Sequence, residues 1–309
     1  MNELQSILLS DMPLLISADG YRRLMVSAFP LAGAPTAVLT PVTYREECQK
    51  ALAALHVGGS GTQGPVLTMD YGSQELQQDT VAYHRVWGFI TAESRWCFST
   101  KQLERDLLDA DANPLVSCHL LHVKSPGGEA YYLDRLDATF GQLHKPVVTL
   151  YEMMCSAAYR IGCHGSRVYA TTQFDYVGCI GTMVSYYDFQ PYYEKLGIRL
   201  IEVKADQSDL KNKKFDDVEK GKPRQYIDEV LNPLNAEFLQ VVRAARPQLA
   251  PLPDDHPAMR GETYFTQPAQ EVGLCDGQRT LQEVAAECYQ LGVAWRKAEE
   301  RKSAVYRAI

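Results

Sequence analysis

The sequence has no run approaching the ~18 apolar residues of a membrane-spanning helix, and its first eleven residues lack a basic segment followed by an apolar one. Neither a membrane span nor a secretory leader is expected, and the reading is of a cytoplasmic protein. Positive charge is in short supply, with 31 Lys and Arg against 38 Asp and Glu and a net charge of -7. Binding to phosphate backbones rests on clustered cations, so nucleic acid is not expected as the main partner. The short cluster Lys211, Lys213, Lys214 does not reverse that balance. The eight cysteines include no C-x-x-C pair and no histidine at ligand spacing, so no metal and no cofactor is expected. A chain of 309 residues can build a core without a disulfide framework, and the cysteines fit a reducing compartment. The glycine-rich stretch Val57 to Pro65 lacks the Lys-Ser/Thr ending of a phosphate loop and reads as a flexible connector. No internal repeat is present.

What the chain does have is a folded protein's composition, 46% hydrophobic and 22% charged. Its first 80 residues are broken by Pro13, Pro30, Pro35 and Pro41 and contain one clear helical stretch, Tyr44 to His56. From residue 81 β-rich runs alternate with amphipathic helices, the mark of an α/β domain. Strands are expected over Val81 to Ile90, Val116 to Val123, Pro146 to Tyr151, Arg167 to Ala170 and Arg199 to Val203. Helices are expected over Lys101 to Ala110 with Leu103, Leu107 and Leu108 inward, over Glu129 to Phe140 with Leu133, Leu136 and Phe140 inward, from about Cys155, over Asp188 to Leu196, from about Pro223 to Ala245, and from Thr280. This divides the chain into an N-terminal adaptor or assembly segment (1–80), a catalytic α/β domain (81–245) and a C-terminal extension that completes it (246–309).

Two motifs follow strands, where open α/β sheets place their ligands. Ser125-Pro126-Gly127-Gly128 could bring backbone N–H groups close to a ligand, with the following helix N-terminus adding positive potential. Taken alone it is equally a plain strand-to-helix turn. Ser156, in Met154-Cys-Ser-Ala-Ala-Tyr159, opens a helix, and a serine there is more often an N-cap than a nucleophile.

The order of motifs is more specific than either. Lys124-Ser-Pro-Gly-Gly128, Lys145-Pro-Val-Val148, Ser156-Ala-Ala-Tyr159, Gly178-Cys-Ile-Gly-Thr-Met183, Tyr193-Glu-Lys-Leu-Gly-Ile-Arg199 and the stretch from Arg260 to Asp276 follow in turn. Across roughly residues 81–290 this resembles the signal-peptide peptidase A (protease IV) family and its phage head-maturation relatives.

The resemblance implies an α/β Clp/crotonase-like fold of stacked β-β-α units with helical additions, and a serine endopeptidase working through a serine–lysine dyad. Ser156 takes the place of the nucleophile and Lys211 that of the base, with Lys204, Lys213 and Lys214 as alternatives. The oxyanion hole falls to the N–H groups of Gly127 or Gly128 together with Ala157. Ser125 and Pro126 flank an extended protein or peptide substrate, with small or apolar side chains before the cut. Cys179 stands where the family has a serine that supports the lysine, and a thiol is the weaker hydrogen-bond partner. Family members form homo-oligomeric rings in which the lysine meets a neighbour's serine. The Ser-Ala-Ala-Tyr form points to the phage or prophage branch, with capsid or scaffold proteins as substrates and a virion or prohead location. A cytosolic peptidase that degrades signal-peptide remnants is the alternative, as is a catalytically weak scaffold or assembly protein on the same fold. A Ser-His-Asp site would need a histidine at the 178–181 turn, which has none, so His119, His122 and His164 read as structural.

Overall fold

The structure, a computed structural model, describes residues 14–16, 46, 65–94, 97–186 and 188–308. The expected helix over 44–56 and the glycine-rich connector lie outside the described residues, apart from Glu46 and Pro65. Strands occupy Leu14–Ile16 (β1), Leu67–Thr68 (β2), Thr80–Trp87 (β3), Ile90–Thr91 (β4), Phe98–Ser99 (β5), Val116–Ser125 (β6), Gly127–Glu129 (β7), Val147–Cys155 (β8), Arg167–Ala170 (β9), Tyr176–Gly178 (β10), Thr263–Tyr264 (β11) and Gly277–Gln278 (β12). Helices occupy Thr100–Ala112 (α1), Leu133–Phe140 (α2), Ala157–Gly162 (α3), Gln190–Lys195 (α4), Lys213–Glu219 (α5), residues 224–245 (α6), Thr266–Val272 (α7) and Leu281–Ala308 (α8). Among the described residues no helix is long and apolar enough to cross a membrane.

Two sheets result. The larger is ordered β11-β10-β8-β6-β3-β2, with β9 beside the first half of β8 and β12 beside β9. Its pairings are parallel except that of β10 with β11. The smaller is ordered β1-β7-β4-β5. Long strand, short strand and helix recur as β3-β4-α1 and β6-β7-α2, the β-β-α unit of the Clp/crotonase-like α/β fold. Central strands covered on both faces need apolar side chains on both, so β6 and β8 read as near-continuous hydrophobic runs. One face carries the larger core, from Val86, Leu121 and Val123 to Ile161, Phe238 and Val242. On the other, Val284 and Cys288 of α8 pack on Val81, Tyr83, Cys118, Leu120 and Val148.

Local differences from the sequence expectation have physical causes. The helix expected from Glu129 starts at Leu133, and residues 127–129 form β7 instead. Two consecutive glycines are poor helix formers, and a Cβ on Gly128 would lie 2.0 Å from the Ile90 carbonyl oxygen, so only glycine lets β7 pass β4. No helix N-terminus therefore adds potential at the glycine turn. In α1, Leu103, Leu107 and Ala110 are buried, whereas Leu108, 140° round the helix from Leu103 at about 100° per residue, is 42% exposed. Residues 199–203 form no strand. Their β-branched and apolar side chains suit one, but a strand needs a neighbour to pair with. Leu200, Ile201 and Val203 are instead 75%, 78% and 90% exposed. The long helix ending at Ala245 contains a π-helical turn at Ile227–Leu231.

The far part of α8 is fastened by charge. Arg296 donates Nε to Oδ1 and Nη2 to Oδ2 of Asp79 at 2.8 and 2.9 Å, and Asp79 is buried. Removing one member of a buried pair strands the other's charge. Arg296→Ala is expected to destabilise the protein by about 2–3 kcal/mol, and adding Asp79→Asn to recover part of the loss, read from urea unfolding midpoints.

Candidate active site

The parallel register brings three strand ends together. Ser125, closing β6, pairs with Met154 of β8, and Gly178, closing β10, pairs with Cys155. The next residue on β8 is Ser156. Its backbone stands at φ 57°, ψ -120°, it is 1% exposed, and its side chain makes no capping bond to α3. It occupies the N-cap position without doing the capping, in a conformation that costs a non-glycine residue ~1–3 kcal/mol. The Ser156 N–H donates to the Gly178 carbonyl at 2.9 Å, and its hydroxyl lies 3.5 Å from the Gly181 carbonyl oxygen. Gly178 has φ 113°, and a Cβ there would meet the Glu262 carbonyl oxygen at 2.6 Å. Any other residue would push the acceptor of the Ser156 N–H out of place.

Ala157 is the first residue of α3, so its N–H has no acceptor within the helix. α3 packs against β7, which holds Gly127 and Gly128. The Gly127 N–H donates to the Ser125 hydroxyl at 3.1 Å, and Ser125 is fully buried. Pro126 is half-buried between them.

The four lysines are not equivalent. Lys204 donates to Asp216 at 2.7 Å, Lys213 to Asp217, and Lys214 pairs with Glu229 at 2.6 Å. The hydrogen bond to Asp216 raises the Lys204 pKa above its ordinary value. Lys211 lies in an exposed turn, its backbone N–H bonded to the Ser208 carbonyl at 3.0 Å, and among the described residues its ammonium has no ion pair. No bond joins Lys211 to Ser156 within the described chain. Cys179, at φ 53°, donates its N–H to the Glu262 carbonyl at 2.8 Å. Burial, with the charge of Glu262, lifts its thiol above the usual range, so it stays protonated near neutrality. Cys155 is lifted in the same way, by burial first and by Cys179 beside it.

Residues 140–293 match the family model for Peptidase family S49. The chain belongs to this family. It is accordingly a serine peptidase acting on protein substrates. No curated protein matches the chain. The matched stretch contains Ser156, Ala157, Cys179 and all four lysines, while Ser125 to Gly128 precede it.

Other supports of Ser156 had little sequence signal. Arg160, one turn after Ser156, is 2% exposed and donates to Asp137 at 2.6 and 2.8 Å and to Glu237 at 2.7 Å. Burial opposes its charge, but Asp137 and Glu237 more than offset this and its pKa is raised. The network pins α3 to α2 and α6. The one trace of it in the sequence is a charged residue inside the apolar run Ala157 to Cys163. The Thr182 hydroxyl donates to the Leu231 carbonyl at 2.9 Å, tying the turn after Cys179 to the π-helical turn. The histidines are engaged elsewhere: His119 with His84 at 3.0 Å, His122 with Tyr83 at 2.6 Å, and His164 with Asp137 at 2.8 Å. Among the described residues no cluster of three or more His, Cys, Asp or Glu could hold a metal ion.

The strain at Ser156 has a measurable sign. Both Ser156→Ala and Ser156→Gly remove the hydroxyl, but only glycine relaxes the backbone. The glycine variant should be the more stable by about 1 kcal/mol after its larger unfolded-state entropy is allowed for. Equal or lower stability in chemical denaturation would mean that the backbone at 156 carries no strain.

Proposed function

We propose that Ser156 is the nucleophile and Lys211 the general base of a serine–lysine endopeptidase that works by acyl transfer. The observation that carries this reading is the backbone of Ser156, held in an unfavourable conformation at the carboxyl end of a central strand without a capping role. Neutral Lys211 takes the hydroxyl proton as Oγ bonds to the scissile carbonyl carbon. The N–H of Ala157 and a glycine N–H of the 127–128 turn stabilise the oxyanion. Collapse breaks the C–N bond, the departing amine takes the proton from the Lys211 ammonium, and water then resolves the acyl-enzyme with the same lysine as base. Lys211 is favoured over its neighbours because a base must reach its neutral form. Lys204, Lys213 and Lys214 are each engaged in an ion pair with a carboxylate, and Lys211 has none among the described residues.

Assembly belongs to this reading. Lys211 follows the apolar stretch in which Leu196, Ile198, Leu200, Ile201, Val203 and Leu210 are all more than half exposed. A contiguous apolar surface of that kind is a surface for association. We take it as the seam of a homo-oligomeric ring in which Lys211 of one subunit serves Ser156 of the next, with Cys179 on the lysine's approach and residues 1–80 as the adaptor or assembly segment. The Ser156-Ala-Ala-Tyr159 form supports a phage- or prophage-type role in processing capsid or scaffold proteins.

Cleavage of a diverse peptide library, read by mass spectrometry, tests the dyad. Ser156→Ala and Lys211→Ala should each lower turnover by at least ~10²-fold, while Lys204→Ala, Lys213→Ala and Lys214→Ala fall far less. Full activity in Lys211→Ala would transfer the base to one of the other three. Mixing Ser156→Ala with Lys211→Ala subunits should restore part of the activity if the dyad is shared between copies, and none if it is not.

A further inference from the structure

A peptide that binds as an added strand needs a free strand edge. The strand beside the nucleophile is β7, and both of its edges are filled. One is held by β4, with Ile90 opposite Gly128. The other is held by the chain's own residues 14–16, running antiparallel with Leu14 opposite Glu129, Leu15 opposite Gly128 and Ile16 opposite Gly127. β4 cannot give way cheaply: Ile90 is fully buried, it is backed by β5, and the Ala92 N–H donates to the Glu129 carboxylate at 2.7 Å. β1 is three residues long and among the described residues pairs with no strand but β7. The edge open to exchange is therefore the one that β1 occupies, against the two glycines of the oxyanion turn.

The segment's chemistry matches the place. Met12-Pro-Leu-Leu-Ile-Ser17 is short, uncharged and largely apolar in sequence. We propose that residues 14–16 are a built-in occupant of the substrate-strand position, so that a peptide substrate reaches Ser156 only by displacing them. This rests on the reading of Ser156 as nucleophile and of β7 as the strand beside which peptides bind. The ligand class follows from the occupant: extended, uncharged segments of Leu and Ile type, whose main chain reproduces the β1 ladder.

Two measurements on the full-length chain test the displacement. In Ser156→Ala, which binds without cutting, a saturating extended peptide from the library should raise amide hydrogen exchange at residues 14–16 at least tenfold. Unchanged exchange with peptide bound would place the substrate elsewhere and overturn the proposal. In otherwise native protein, Ile16→Pro removes the ladder N–H opposite Gly127, and kcat/KM for short peptides should rise several-fold. A synthetic peptide of residues 12–18 should inhibit that variant competitively. A variant that folds, cleaves no faster than the parent and ignores the synthetic peptide also overturns the proposal. Labelling by a fluorophosphonate keeps the underlying reading separate. If Ser156 is never labelled in any variant, the nucleophile assignment fails; if it is labelled equally in parent and Ile16→Pro, the occlusion alone fails.

Discussion

The bond from the Ser156 N–H to the Gly178 carbonyl sets the geometry of everything around it. It links the residue after β8 to the last residue of β10, across a parallel pairing whose register is already fixed by Cys155 opposite Gly178. Parallel strands cannot be joined by a tight turn, so the two ends meet only because α3 and β9 carry the chain round between them. The acceptor in turn depends on the missing side chain of Gly178, since Glu262 fills the space where a Cβ would stand. An unfavourable backbone at Ser156 persists because neighbours on both sides over-determine it.

The two halves of the site differ in kind. The serine half is made from buried strands, the fully packed α3 and an arginine with two carboxylate partners, all inside one hydrophobic core. The lysine half stands on an exposed stretch with little regular structure and an apolar surface. In the proposed dyad a rigid nucleophile is thus paired with a base on an exposed stretch. That asymmetry suits the proposed assembly, in which a neighbouring subunit would cover the exposed turn that carries Lys211.

How much of this was legible depended on how local the determining contacts are. The central strands declared themselves through continuous apolar runs, and α2 through Leu133, Leu136 and Phe140, all buried as expected. β7 did not, because Gly-Gly-Glu has no strand propensity and is strand only by virtue of Ile90 and residues 14–16 far away in sequence. Residues 199–203 misled in the opposite direction, with strand-like side chains but no pairing partner among the described residues. Ser156 was found by motif order. Its strain, the Arg160 network and the Thr182 tie to a π-helical turn arise from contacts 22 to 77 residues apart, which no local window contains.

The strands that finish the site come late. Glu262, which receives the Cys179 N–H and wedges against Gly178, and β11, which closes the sheet beyond β10, lie about a hundred residues after Ser156. Asp276, which fastens β9 through the Val168 N–H and takes both arms of Arg246, comes later still. A chain emerging from the ribosome therefore carries Ser156 long before it carries the walls that shape it. During synthesis the nascent polypeptide is a peptidase in sequence only.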